Sequence, residues 1–348
     1  MLDFELLKKI SETPGAPGFE QHIRNLVREE IKDLVDEMYI DSMGSLIGVR
    51  RGKDSKRVMV AAHMDEISFI VTHIDDDGFI RFHPLGGFDP KTLTAQRVIV
   101  HGKEDVPGVM GSKPIHLMSN EEKNKIPQIR DYFIDLGMKG DAVKELISVG
   151  DPITRERELV VMGDCVNGKS LDNRVSVYIL IEALKAIKGK ELPYDFYAAF
   201  TVQEEVGLRG AMNAAGHIDP DFGIGLDTTI AYDTPGAMPF EMVTQLGKGT
   251  GIKILDGSII CDSRMIGFLK ASAKKHNIQY QAEILPAGGT DTGAIQRQGT
   301  KGSIAGAISI PVRHIHQSIE MAHMGDIAAT IDLLTVTALE LDQWNWEL

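Results

Sequence analysis

Apolar residues along this chain follow two different periods, and the changes between them divide the sequence. Over residues 4–12 and 20–33 they recur on one face of a helical turn, which predicts two amphipathic helices. Thr13-Pro14-Gly15-Ala16-Pro17-Gly18 lies between them and predicts a loop, because proline and glycine interrupt regular structure. Residues 36–50 predict a hairpin around Ser42-Met43-Gly44. Val58-Met59-Val60-Ala61-Ala62 is apolar without alternation, the pattern of a strand buried on both faces of a mostly parallel sheet.

From about residue 70 to 162 short β-type runs dominate, at 67–73, 79–84, 97–101 and 107–111, with glycine and proline between them and a polar stretch from Asn120 to Lys125. The strand–helix rhythm then resumes. Helices are expected over 173–188, 208–215, 263–276 and 325–341, and strands over 196–202, 222–226, 279–285 and 303–310. Alternating strands and helices predict an α/β fold with a three-layer αβα domain and a mostly parallel central sheet, formed by residues 1–69 and 163–348. Residues 70–162 are expected to form a small inserted β-rich domain.

Composition narrows the function. At 348 residues the length suits about two domains, and 43% hydrophobic with 25% charged residues is ordinary for a globular chain. A formal net charge of -13 without a basic run makes nucleic acid and anionic membranes poor partners. Cys165 and Cys261 form no paired motif, so neither a disulfide framework nor a thiolate zinc site is expected. Met1-Leu2-Asp3-Phe4-Glu5 lacks the basic start of a signal peptide, and no apolar stretch approaches the ~18 residues of a membrane helix. These features predict a cytoplasmic protein.

The candidate chemistry gathers at the ends of the predicted strands. His63 and Asp65 follow 58–62, Glu204 and Glu205 follow 196–202, Asp227 follows 222–226, and His314 and His316 follow 303–310. Ligand sites in open α/β sheets form outside the carboxyl ends of the strands, so four strands deliver acids or imidazoles to one edge. Asp172, just before a helix, reads alone as a cap; in this company it reads as a metal ligand, and both roles are compatible. Adjacent Glu204 and Glu205 alone would read as an acidic helix start, Asp65 as surface charge and His314 as an exposed or structural residue. Gly288-Gly289-Thr290-Asp291 predicts a turn or a wall of a pocket. His22, His73, His83, His101, His116, His217, His276 and His323 belong to no such constellation. Imidazoles with carboxylates and no thiolate suit zinc, cobalt or manganese, and paired ions are a recurring hydrolytic arrangement.

Ala62-His63-Met64-Asp65-Glu66, Leu171-Asp172-Asn173-Arg174, Gln203-Glu204-Glu205-Val206-Gly207, Gly225-Leu226-Asp227 and Arg313-His314-Ile315-His316 occur in that order. They resemble the motifs of the TET-type and glutamyl aminopeptidases, metallopeptidase family forty-two, and the resemblance spans nearly the whole chain. It implies two divalent ions, zinc or cobalt, with Asp172 as the bridging carboxylate, His63 and Asp227 on one ion, and Glu205 and His316 on the other. It further implies Glu204 as the general base for attack by a metal-bridged hydroxide on the first peptide bond, with Asp65 orienting His63. The insert would then be a dimerisation domain, with dimers building a dodecameric shell that admits peptides. Two other readings compete: an endoglucanase-type glycoside hydrolase, which needs only two carboxylates, and a non-catalytic shell, which predicts gaps in a ligand set that is complete here.

Overall fold

The computed structural model describes residues 2–347. Helices α1 (Phe4–Glu12) and α2 (Gln21–Ile31) precede the hairpin β1 (Glu37–Ile40) and β2 (Leu46–Arg50), then β3 (Asp54–His63). Next come β4 (Ser68–Ile74), β5 (Ile80–Leu85), β6 (Arg97–His101), β7 (Asp105–Ser112), the short α3 (Asn120–Lys123), β8 (Tyr132–Asp135), α4 (Gly140–Leu146) and β9 (Pro152–Arg155). The remainder runs β10 (Val160–Met162), β11 (Cys165–Gly168), α5 (Leu171–Ile187), β12 (Tyr194–Thr201), α6 (Arg209–Ile218), β13 (Phe222–Ile230) and β14 (Thr250–Leu255). It closes with α7 (Ser263–Lys275), β15 (Tyr280–Ile284), α8 (Asp291–Arg297), β16 (Ile304–Arg313), β17 (Glu320–His323) and α9 (Met324–Glu340).

Two sheets result. Strands β4, β5, β8, β7, β6 and β9 close into an antiparallel barrel around its own core, which includes Phe69, Val98, Val100, Ile134 and Ile153. The other strands form one large sheet in the order β1-β2-β12-β3-β13-β16-β17-β11-β10, with β14 and β15 branching from β16. Strand β10 falls within the span expected for the insert, yet it pairs with β11 in the large sheet. The central four strands, β12, β3, β13 and β16, are parallel. The flanking strands pair antiparallel, except for the parallel β14–β15 pair, so the sheet as a whole is mixed around a parallel centre. The reason is connection length: β1–β2 and β10–β11 are joined by hairpin loops, whereas a parallel pair needs a crossover of a dozen or more residues.

The unbroken apolar run in β3 serves two cores. Val58, Val60 and Ala62 pack with α1, α2, α5, α7 and α9 on one face, while Met59 and Ala61 pack with α6 and α8 on the other. Strand alternation makes this automatic, since successive side chains point to opposite faces. The second face is lined with small residues because α8 lies close against it. A Cβ added to Gly223 would stand 2.3 Å from Ile295 Cγ2, and one added to Gly225 only 1.9 Å from Thr292 Oγ1. No helix among the described residues is long and apolar enough to cross a membrane.

Register fixes the functional edge. His63 pairs with Thr201, Gly225 pairs with Ala61, and Asp227 pairs with Ser309. By this register Asp227 lies level with His63 and Thr201, inside β13 rather than after it, because β13 and β16 stay paired as far as Ile230 and Val312.

Gly225→Ala should lower stability by about 1–3 kcal/mol through overpacking against Thr292. Gly216, exposed in α6 with open space around its Cα, should respond oppositely: Gly216→Ala is expected to gain about 0.4–1 kcal/mol. Denaturant midpoints of the two variants check both signs.

Candidate metal centre

The carboxyl rim brings together every residue expected there except His314. His63 Nε2 lies 3.4 Å from Asp172 Oδ1, 3.7 Å from Asp227 Oδ1 and 3.9 Å from Glu204 Oε2. His316 Nε2 lies 3.2 Å from Asp172 Oδ2 and 3.5 Å from Glu205 Oε2. Among the described residues, two groups satisfy metal-ligand spacing: His63, Asp172 and Asp227, and Asp172, Glu205 and His316. Asp172 belongs to both and turns one oxygen to each imidazole. Tetrahedral ligands 2.0–2.1 Å from an ion stand about 3.3 Å apart, close to these separations. Asp172 Oδ1 and Glu205 Oε1 are buried without a hydrogen-bond partner, so the pocket leaves lone pairs that a cation would satisfy. His314 is exposed, and none of the other eight histidines joins either group.

Turns deliver these side chains in backbone conformations that side chains seldom adopt. Ser170, Gln203 and His316 have φ of 57°, 54° and 58°, each at or next to a site segment. Left-handed residues without a glycine persist only where the surroundings over-determine them. Those surroundings are hydrogen bonds. The Asp65 carboxylate accepts from Glu204 N at 3.0 Å and Glu205 N at 3.1 Å, which anchors the tip after β12. It lies 3.4 Å from His63 Nδ1, whose nearer partner is the Asp65 carbonyl at 3.1 Å. With Nδ1–H donating there, Nε2 is the ring nitrogen turned toward Asp172, Asp227 and Glu204, and the one open to a cation. Asn173 Nδ2 donates to Leu226 O at 2.8 Å and joins the start of α5 to the end of β13 beside Asp227.

Several residues with supporting roles escaped the sequence reading. Glu320 in β17 accepts from Asp172 N at 2.9 Å and His316 N at 3.0 Å, so one buried side chain holds a residue of each group. Glu20 accepts from Gln203 N at 3.1 Å, and Thr201 donates to Asp291 at 2.5 Å. Beneath them, Glu66 accepts from Lys169 Nζ at 2.8 and 2.7 Å, with the Arg174 guanidinium 3.5 Å away. Arg174 in turn donates to Ile10 O and Thr13 O, both at 2.7 Å, and so fastens the Pro/Gly loop under the segment that carries Asp172. The only sequence signal for Glu66 and Asp291 was their place inside motifs already quoted; Glu20 and Glu320 gave none.

The electrostatics follow from crowding acids in a dry place. Burial pushes Glu205 up to about 8, despite His316. Burial likewise drives Glu204 well above the usual carboxylate range, with His63 opposing and Asp227, Glu205 and Asp291 adding to the rise. Glu20, Asp291 and Glu320 are pushed up to about 7, again mainly by burial. Asp172 is the exception: burial opposes it, but the two imidazoles hold it well below its ordinary value. Burial disfavours the charged form of the imidazoles too, yet the surrounding carboxylates hold His63 well above its usual range and His316 up to about 10. Such a cluster attracts cations, and bound cations would restore the carboxylates to their ionised form.

A cavity of about 500 Å³ opens over the cluster, bounded by His63, Asp172, Glu204, Glu205, Asp227 and His316 on one side and by the turn from Leu285 to Thr290 on the other. Gly288-Gly289 lines the cavity, Gly288 with a φ of 68°, and Asp291 then begins α8.

Known proteins share this architecture. The sequence profile of the M42 glutamyl aminopeptidase family matches residues 44–333. The chain is 36% identical to the TET aminopeptidase from the marine sediment archaeon Thaumarchaeota archaeon SCGC AB-539-E09, superposing with a TM-score of 0.94 over 97% of this chain and 96% of that one. It is 35% identical to the lysyl aminopeptidase of Pyrococcus furiosus over 98% of both chains. The Pyrococcus horikoshii TET1 peptidase, which can assemble into a tetrahedron or a large octahedral shell, is 33% identical with a TM-score of 0.88, covering 97% of this chain and 99% of that one. Fold, site and sequence thus agree on an aminopeptidase. This chain belongs to the M42 glutamyl aminopeptidase family, a family of metallopeptidases.

The Glu66 network supplies a stability test. Lys169 and Arg174 hold Glu66 down at about 2 against its burial, below an ordinary 4.5. A depressed carboxylate contributes stability that is fully present above pH 4.5 and is lost as pH falls through about 2. Glu66→Ala leaves both cations buried without their partner, and urea unfolding at pH 7 should show a loss of about 3–5 kcal/mol. The variant should also lose part of the wild-type stability decline over that acid window.

Proposed function

We propose that this protein removes single N-terminal residues from peptides, holding one divalent ion with His63 and Asp227, a second with Glu205 and His316, and both with Asp172. The observation that carries this reading is the placement of the two Asp172 oxygens, 3.4 Å from His63 Nε2 and 3.2 Å from His316 Nε2. The mixture of nitrogen and carboxylate oxygen donors suits zinc or cobalt. Two such ions, when bound, acidify a water and draw electron density from the scissile carbonyl.

The protein's own residues do the rest. Glu204, buried and 3.9 Å from His63 Nε2, sits inside the cavity, where its carboxylate takes the proton of the attacking water and returns it to the departing amine. Asp65 fixes that carboxylate by holding the Glu204 and Glu205 amides. Burial raises the proton affinity of Glu204, which suits a group that must hold a proton briefly. A free amino end seated in the cavity against an ion or the carboxylate beside it would limit cleavage to one residue at a time. A glycosidase would leave both imidazoles without a purpose, and a non-catalytic shell would not need Glu204.

Self-association fits the barrel. Ile115, Leu117 and Ile126 stand exposed on the connection between β7 and β8. In a tetrahedral shell, dimers along the six edges make a dodecamer, and such a shell would admit peptides while excluding folded proteins. The acidic, cysteine-poor chain suits a reducing cytoplasm.

Glu204→Gln should retain two ions per chain by elemental analysis and lose about 10²–10⁴-fold in the rate of N-terminal residue release. Near-normal turnover would remove Glu204 from the role of base. Asp172→Asn should lose metal as well as activity, and full metal content in that variant would contradict the bridge.

A further inference from the structure

We infer that the cavity beside the ligand cluster takes an uncharged aliphatic side chain, of the leucine or methionine class, from the residue that is released. This rests on the aminopeptidase reading above and adds the substrate class. Besides the ligand cluster, the apolar Leu208, Ile230, Leu285, Ala287 and Ile315 line the cavity, with three threonines among them. Two charged residues, Lys253 and Asp256, also line it, and they decide which side chains are admitted.

Neither offers an open partner. Lys253 is 1% exposed, its ammonium bonded to Glu283 Oε1 and 3.5 Å from Asp256 Oδ2. Its single charge is thus matched by two carboxylates, and a substrate carboxylate arriving there would meet a net negative environment. Asp256 is similarly occupied. Its Oδ1 accepts from Ser258 N at 2.7 Å, Ser258 Oγ at 2.8 Å and Ile259 N at 3.1 Å, while Oδ2 accepts from Thr290 Oγ1 at 3.0 Å. A carboxylate has about four lone-pair sites, so a substrate ammonium could bind Asp256 only by displacing a bond already made. Glu283 Oε2 has no partner, but Glu283 is fully buried behind Lys253 and does not line the cavity. Its other oxygen also accepts from Thr229 Oγ1 at 2.6 Å.

With Asp172, Glu205 and Asp227 committed to the ions and Glu204 to the attacking water, a charged side chain of either sign would lose water at the cavity wall without gaining a free counter-charge, which is unfavourable. An aliphatic side chain loses no polar hydration and gains contact with Ile230, Leu285 and Ile315. The buried Lys253–Glu283–Asp256 group thus acts as a closed floor that shapes the pocket, and the apolar wall selects.

The test is a panel of leucyl, methionyl, glutamyl and lysyl p-nitroanilides with the metal-loaded protein at one pH. Leucine or methionine should exceed both charged residues by about tenfold or more in kcat/KM, the scale that pocket contacts supply. Calorimetric titration with free L-leucine, L-glutamate and L-lysine should give the same order without turnover. Leu285→Asp should raise lysyl relative to leucyl turnover. Release of residues with glutamate or lysine preferred would overturn this inference alone and leave the aminopeptidase reading intact. No release of any residue with any metal would overturn both.

Discussion

Carboxylates buried close together repel one another and resist ionisation, and this chain gathers Asp65, Asp172, Glu204, Glu205 and Asp227 at one rim with Glu20, Asp291 and Glu320 close behind. Two imidazoles cannot balance that many acids. Burial pushes Glu204, Glu205, Glu20, Asp291 and Glu320 upward, and the neighbouring carboxylates add to each rise. A fold tolerates such a cluster when positive charge is brought to it, and the proposed reading places that charge on either side of Asp172, which turns one oxygen toward each imidazole.

The rest of the architecture can be understood as support for that cluster. Parallel pairing of β12, β3 and β13 sets His63 and Asp227 level with the end of β12, and residues in left-handed turns carry Asp172, Glu204 and His316 to them. Buried polar bonds then lock the turns. Asp65 secures the Glu204–Glu205 tip, Glu320 joins Asp172 to His316, and the Glu66–Lys169–Arg174 group anchors the base. The barrel has a separate hydrophobic core, so its packing does not depend on the charged rim.

Much of this was legible in the sequence, for identifiable reasons. Strand β3 was readable because its apolar run serves two cores at once, and the helices α1, α7 and α9 because their apolar period matches their geometry. The rim residues were readable because strand ends in an α/β sheet share one edge. Strands β8, β9, β10, β11, β14 and β17 were not anticipated, since none exceeds six residues and none carries a clear apolar alternation of its own. Helix α8 was missed because Asp-Thr-Gly-Ala is buried around its small residues and carries no amphipathic stripe. Glu66, Glu20 and Glu320 were missed for a related reason: a charged residue is ordinarily exposed, and only the folded chain shows what pairs with it.

The central claim is that Asp172 is shared by two cations. Anomalous diffraction at the zinc or cobalt edge, from crystals of the metal-loaded protein, tests it directly. Two peaks in each chain, one against His63 and Asp227 and the other against Glu205 and His316, with Asp172 between them, are the predicted result. A single peak, or peaks that do not contact Asp172, would contradict the account.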